Sequence, residues 1–197
     1  MAFKKIRDYL LYNFLHKKIK PEIIGGFKNP DGKVRNKTRI SNLTHISNKG
    51  NNLNIGENVF IGHFSYIDGH NAKVTICNNV QITNYVSILT HSSHNAIRLF
   101  GIEYFTSDKY PELYNVGEIY IGENTFIGPH TLIMPGSKIG KGCIVSAYSF
   151  INGEFPDFSI IRGIPAKVVG DTREIDSDFL KKYPELMETY YLKDGIN

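Results

Sequence analysis

Along most of this chain an aliphatic residue returns at every sixth position. Ile121, Ile127, Ile133, Ile139, Val145 and Ile151 keep the step unbroken. Ile55, Ile61 and Ile67 keep it earlier, Ile76, Ile82 and Ile88 keep it again, and Ile40 and Ile46 mark a weaker first turn. Six matches neither the helical period nor the two-residue alternation of a half-buried strand. The positions between are also ordered. Gly follows the aliphatic at 56, 62, 122, 128 and 140, and the fourth residue after it is small or β-branched: Val59, Ser65, Val80, Val86, Thr125, Thr131, Ser137, Cys143 and Ser149. Each hexad therefore reads as one short strand and one turn, with the aliphatic filling an interior and the small residue packed beside it. Gly is expected to permit the tight backbone of a corner. Asn58, Asn79 and Asn124 are turn formers that tolerate left-handed backbone. One coil cannot bury its own inner face, so coils must stack. The prediction is an all-β solenoid.

Two breaks in the step locate insertions. Ile67 and Ile76 stand a hexad plus three apart, with Gly69-His70-Asn71 as the extra residues. Ile88 and Ile121 are far more widely spaced, which predicts one long inserted loop over 89–118. A solenoid carries such a loop outside its core, where function often sits. Before the repeat, Phe3, Ile6, Leu10, Phe14 and Leu15 recur at helical spacing among Lys4, Lys5, Arg7, Lys17 and Lys18. Residues 1–25 thus read as a basic amphipathic helix, ended by Pro21 and Gly25-Gly26. Covering the open end of the solenoid is its favoured role; contact of 3–19 with an anionic membrane surface is the less favoured one. The repeat region spans 26–170. Residues 171–197 form a C-terminal helical segment, with a helix over 176–193 capped by Asp176 or Ser177 and interrupted at Pro184.

The remaining bulk properties narrow the field. The 197 residues carry 23 Lys and Arg against 19 Asp and Glu, for a formal charge of +4. That excess suits an anionic ligand and is too small to argue for nucleic acid. No apolar run reaches the ~18 residues of a membrane span and no signal-peptide pattern opens the chain, so a cytoplasmic location is the default expectation. Cys77 and Cys143 cannot make a disulfide framework or a four-thiolate zinc site. There is no Gly-rich nucleotide-binding loop of the P-loop or dinucleotide type.

The loop opens with Leu89-Thr90-His91-Ser92-Ser93-His94-Asn95. Two histidines stand where the scaffold hands over to the insertion. An imidazole titrates near neutral pH and is suited to general base work. A carboxylate could orient it: Glu103, Asp108 and Glu112 lie in the loop and Asp68 near the shorter insertion, with Glu103 preferred by proximity. Cys143 occupies an inward small position and Cys77 replaces a corner Gly, so neither reads as a nucleophile.

Over about residues 40–170 the hexads resemble those of the hexapeptide-repeat acyltransferases. The resemblance implies a left-handed parallel β-helix of three hexads per coil, with short N- and C-terminal helices, and a homotrimer with active sites between subunits. His91 after Ile88-Leu89-Thr90 is similar to the catalytic His of saccharide-modifying members, whereas other members place theirs further on, nearer His94. The resemblance thus implies His91 as base and His94 as a substrate or orienting contact. Ser146-Ala147-Tyr148-Ser149 resembles the Gly-Ala-Gly-Ser-like turn that lies along the pantetheine arm, with Tyr148 departing from Gly. Ile161-Arg162-Gly163-Ile164-Pro165-Ala166-Lys167 resembles the Gly-x-Pro-Ala-Lys closing motif. By resemblance Ser146, Ala147, Arg162 and Gly163 contact pantetheine, and Lys167 approaches the phosphate or adenine end. The implied donor is acetyl-CoA, the acceptor a sugar or polysaccharide hydroxyl, the transfer direct, and no metal is expected. An amino-sugar N-acetyltransferase is the alternative on the same fold. A zinc enzyme like the γ-type carbonic anhydrases could draw on His63, His70, His91, His94 and His130, but their spacing lacks that family's His-x₄-His arrangement. A non-catalytic solenoid used for assembly is the third reading.

Overall fold

The computed structural model describes residues 2–48, 51–106 and 109–190, without the side chains of 2, 15–19 and 105. Short parallel strands build three sheets, and the chain visits them in cyclic order. The first face holds Val34–Ser41, Phe60–Ile61, Gln81–Ile82, Phe126–Ile127, Ile144–Val145 and Ser159–Gly163. The second holds His45–Ser47, Tyr66–Asp68, Ser87–Ile88, Leu132–Ile133 and Phe150–Ile151. The third holds Leu53–Ile55, Val74–Ile76, Ile119–Ile121, Lys138–Ile139 and Glu154–Phe155. Each strand pairs with the equivalent strand one turn of the winding away, as Ile127 does with Ile82 and Val145. The hexad aliphatics from Ile55 to Ile151 are at most 1% exposed and form one core with Val59, Val80, Val86 and Cys143.

The small inward residues include buried hydroxyls, and these are satisfied by backbone. Thr125 donates to the Gly140 carbonyl at 2.9 Å, Ser65 to that of Thr83 at 3.0 Å, and Thr131 to that of Gly128 at 2.7 Å. A methyl-sized residue with one donor fits here because the corner carbonyls have no strand partner of their own.

The corner glycines do a different job from the one expected. At Gly122 and Gly128 the backbone lies outside the left-handed region, but an added Cβ would stand 2.5 Å from the Lys141 nitrogen and 2.6 Å from the Ala147 nitrogen. Close approach of the next coil, not a special φ, demands the missing side chain. The left-handed residue comes two positions later, at Asn124 (φ 56) and His130 (φ 58), and Asn58 and Asn79 also hold it. A backbone atom cannot swing aside as a side-chain tip can. Gly128→Ala should therefore cost about 1–3 kcal/mol, the usual range for overpacking. Chemical denaturation of the variant beside wild type checks this.

The ends were partly anticipated. Helix α1, Ala2–Ile19, forms where the spacing predicts it. It does not act as a cap: Phe3 is 90% exposed, Leu10 61% and Ile6 57%. The ends of the first face are instead flanked by antiparallel strands, Ile23–Lys28 on Val34–Ser41 and Ala166–Asp171 on Ser159–Gly163. After a seven-residue helix α2 (His94–Phe100) in the insertion, the C-terminal helix α3 spans Thr172–Lys182. Its cap is Asp171, whose carboxylate accepts from the Arg173 N–H at 2.9 Å, so the helix starts before the Asp176 and Ser177 expected to cap it. Pro184 does divide the segment, opening a 3₁₀ turn over Pro184–Glu188. Tyr191 and the rest of the C-terminus lie outside the described residues.

Candidate active site

Both insertions leave the winding between the second and third faces. The short one follows Tyr66–Asp68, and the long one follows Ser87–Ile88 directly above it, since Ile67 pairs with Ile88. Stacking brings Asp68 beneath the root of the long loop. Asp68 is 7% exposed and accepts from the Thr90 hydroxyl at 3.0 Å and the His70 N–H at 2.9 Å. Thr90 itself is fully buried. The residue before His91 is thus locked to the scaffold by a buried carboxylate.

The two limbs of the loop are then tied together. His91–Ser92 pairs antiparallel with Asn115–Val116, and the Gly117 N–H donates to the Thr90 carbonyl at 3.1 Å. His91 is half-buried, with its ring stacked against Tyr114 at 6.2 Å between centroids. His94 opens α2 and is exposed, and its Nδ1 lies 2.8 Å from the Ser92 hydroxyl. That contact fixes the ring plane and leaves Nε2 facing away from its anchor. Arg98 holds the same turn through the His94 carbonyl and the Asn95 side chain.

The carboxylates expected to orient an imidazole stand elsewhere. Glu103 is exposed on the 3₁₀ turn Gly101–Phe105, and Glu112 is exposed on Pro111–Leu113; neither carboxylate touches either imidazole. Asp108 lies outside the described residues. Asp68 supports the pair through Thr90 rather than through a ring nitrogen. In the loop, Tyr104 stacks on Tyr114 and Phe100 on Tyr110, so these rings pack the insertion down. Among the described residues no three His, Cys, Asp or Glu side chains gather as a metal-holding group. Cys143 is 1% exposed, burial pushes its thiol pKa up, and it donates to the Pro156 carbonyl at 3.3 Å. Cys77 sits against Tyr120, whose phenol is pushed up to about 12, chiefly by their hydrogen bond.

Ser146, Ala147, Arg162, Gly163 and Lys167 come together at a different place. Ser146 and Ala147 follow the first-face strand Ile144–Val145, and the Ser146 N–H donates to the Ile161 carbonyl at 2.9 Å. Arg162 and Gly163 end the next strand of that face, and Lys167 pairs with Arg162 across the closing hairpin. All lie at the corner after the first face; both histidines lie at the corner after the second. One face separates them, roughly 15–20 Å for a hexad at strand rise. The histidines and these five residues therefore stand at different corners of one chain.

A column of aromatic rings marks the first of these corners. Phe64, Tyr85, His130 and Tyr148 stack in succession, with centroids 5.1, 4.8 and 4.7 Å apart and planes within 14°. All four have positive φ, and Tyr148 is 65% exposed. The hexad pattern of buried aliphatics does not reveal this column. Its signal is an aromatic ring third after Ile61, Ile82, Ile127 and Val145, the aliphatics of one face.

Comparison with known proteins gives a consistent picture. Residues 118–153 match the family described as bacterial transferase hexapeptide (six repeats). YvoF, an inferred acetyltransferase of Bacillus subtilis (strain 168), is 38% identical over 72 residues, which are 36% of this chain and 41% of YvoF. Protein CapG of Staphylococcus aureus is 36% identical over 108 residues, 55% of this chain and 58% of CapG. The chain thus spans well under two thirds of these relatives. Among solved structures, galactoside acetyltransferase in complex with coenzyme A superposes with a TM-score of 0.53 at 22% identity, covering 72% of this chain and 68% of that one. The N-acyltransferase AntD of Bacillus cereus gives 0.55 at 20%, covering 74% and 88%. These likenesses establish the fold they share with this chain.

Proposed function

We propose that this chain, which carries the bacterial transferase hexapeptide repeat and resembles the hexapeptide-repeat acetyltransferases, transfers an acetyl group from acetyl-CoA to a saccharide hydroxyl. The winding is a left-handed parallel β-helix, and three copies assemble so that the histidine corner of one meets the cofactor corner of the next. The observation that carries the reading is the imidazole pair, fixed at the root of an insertion whose lower edge is bolted down by Asp68 and Thr90. The placement of the histidines and the proposed cofactor residues at separate corners supports an active site completed between subunits.

His94 is the stronger candidate for the base, with His91 packed beside it against Tyr114. In the tautomer whose Nδ1–H donates to the Ser92 hydroxyl, the neutral ring keeps a lone pair on Nε2. Nε2 takes the proton of the acceptor hydroxyl as the oxygen attacks the thioester carbonyl. A backbone N–H of the coil holds the oxyanion of the tetrahedral intermediate. The carbon–sulfur bond then breaks, and the imidazolium returns its proton to the departing thiolate. Coenzyme A is polyanionic, and Arg162 and Lys167 are both exposed and adjacent across the hairpin, suited to its phosphates. An amine acceptor would use the same groups; the likeness to AntD, also solved with dTDP-4-amino-4,6-dideoxyglucose, keeps the amino sugars in the acceptor panel.

Thiol release from acetyl-CoA, measured against oligosaccharides, nucleotide sugars and amino sugars, tests the reading. Acceptor-dependent release is expected, and release no faster than hydrolysis with every acceptor sinks it. In the same assay Lys167→Glu should raise KM for acetyl-CoA by about tenfold or more and leave kcat within a factor of about two. An unchanged KM removes Lys167 from the cofactor site.

A further inference from the structure

Helix α1 has a composition that the remainder of the chain does not share. Ala2–Ile19 holds five Lys and Arg against one acid, Asp8, a net +4 that equals the formal charge of the whole chain. The rest of the molecule is therefore close to neutral, and the cationic excess is concentrated in one helix. The one acid is spent locally, since Arg7 pairs with Asp8 at 2.7 Å. Large apolar side chains share this helix with the cations. Phe3, Ile6, Leu10 and Leu11 are between 52 and 90% exposed and line a shallow apolar groove with Arg7. Lys4 and Lys5 are exposed beside them. No helix of the described residues is long and apolar enough to cross a membrane.

Exposed apolar area of this kind needs a cover, and the charge decides which one. Bundling α1 with α1 of other copies would bring several +4 segments side by side, and like charges at contact are repelled. An anionic lipid surface removes the apolar groups from water and neutralises the cations together. We infer that α1 lies in the interface of an anionic bilayer, with Phe3, Ile6 and Leu10 entering the acyl boundary and Lys4, Lys5 and Arg7 at the headgroup phosphates. The helix would hold the winding at the membrane surface without spanning it. This inference is independent of the acetyl-transfer reading.

Sedimentation of the full chain with sucrose-loaded vesicles tests it. Wild type should pellet with phosphatidylcholine–phosphatidylserine vesicles and stay in solution with phosphatidylcholine alone. The charge-reversed variant K4E/K5E should lose about tenfold or more in affinity, and added salt should weaken wild-type binding in the same direction. Leu10→Asp should lose binding while its circular dichroism and oligomeric mass stay those of wild type. Failure of wild type to pellet with anionic vesicles overturns the inference, as does equal binding to both vesicle types. A Leu10→Asp variant that changes oligomeric mass assigns α1 to a second copy of the chain and also overturns it.

Discussion

His94→Ala should lower kcat for the proposed acetyl transfer by about 10²–10⁴-fold, the range that general base catalysis supplies. KM for acetyl-CoA should change little, because His94 stands at the corner after the second face and the proposed cofactor residues stand after the first. Ser92 lies close enough to fix the His94 ring, so removing the imidazole leaves the strand pairing of His91–Ser92 with Asn115–Val116 intact. The expected signature is therefore a turnover defect in a folded protein. His91→Ala should be milder, since its ring packs on Tyr114 and no hydrogen bond from the described residues orients it. Steady-state kinetics of both variants, with the acceptor saturating, separate the two. If His91→Ala abolishes transfer and His94→Ala retains it, the base is His91 and the Ser92 contact merely shapes the loop.

The second large effect is on stability. Ile127→Ala should cost about 2–5 kcal/mol, the range for truncating a fully buried aliphatic. Ile127 is 0% exposed and sits between Ile82 and Val145 in the middle of the first face. Neighbouring coils are held at the strand spacing by their hydrogen bonds and cannot collapse into the void. Ile102→Ala is the matched control, because that side chain is 98% exposed on the insertion. Its stability should stay within about 0.5 kcal/mol of wild type. Thermal melting distinguishes them: roughly 5–20 °C is expected for the buried site in a chain of this size, and almost nothing for the exposed one.

The hexads were legible because burial alone selects them. Every position that must face the interior recurs at a fixed step, and no other structure places Ile121, Ile127 and Ile133 on one axis. The placement of both histidines at the loop root was legible for the same reason, since Ile88 is the last buried residue before the break. What the pattern could not reveal depends on contacts between coils. Gly128 looks like a turn residue in sequence, but its reason is Ala147, which is distant along the chain and adjacent only after winding. The column from Phe64 to Tyr148 is hidden because an insertion separates Tyr85 from His130. Asp68 was one carboxylate among several until stacking put it under Thr90. Helix α1 was recognised as a helix, yet sequence spacing carries no information on whether a helix lies against the winding or stands clear of it.

The antiparallel strands at the two ends of the first face set a limit on length. A ladder of parallel rungs offers the same hydrogen-bonding edge at top and bottom, and nothing in the repeat itself says where growth should stop. Ile23–Lys28 and Ala166–Asp171 occupy those edges on the first face, so Val34–Ser41 and Ser159–Gly163 are each paired on both sides within one molecule. Continuing the winding would require all three faces to extend at once, and on the first face the next rung would have to displace a strand that is already paired.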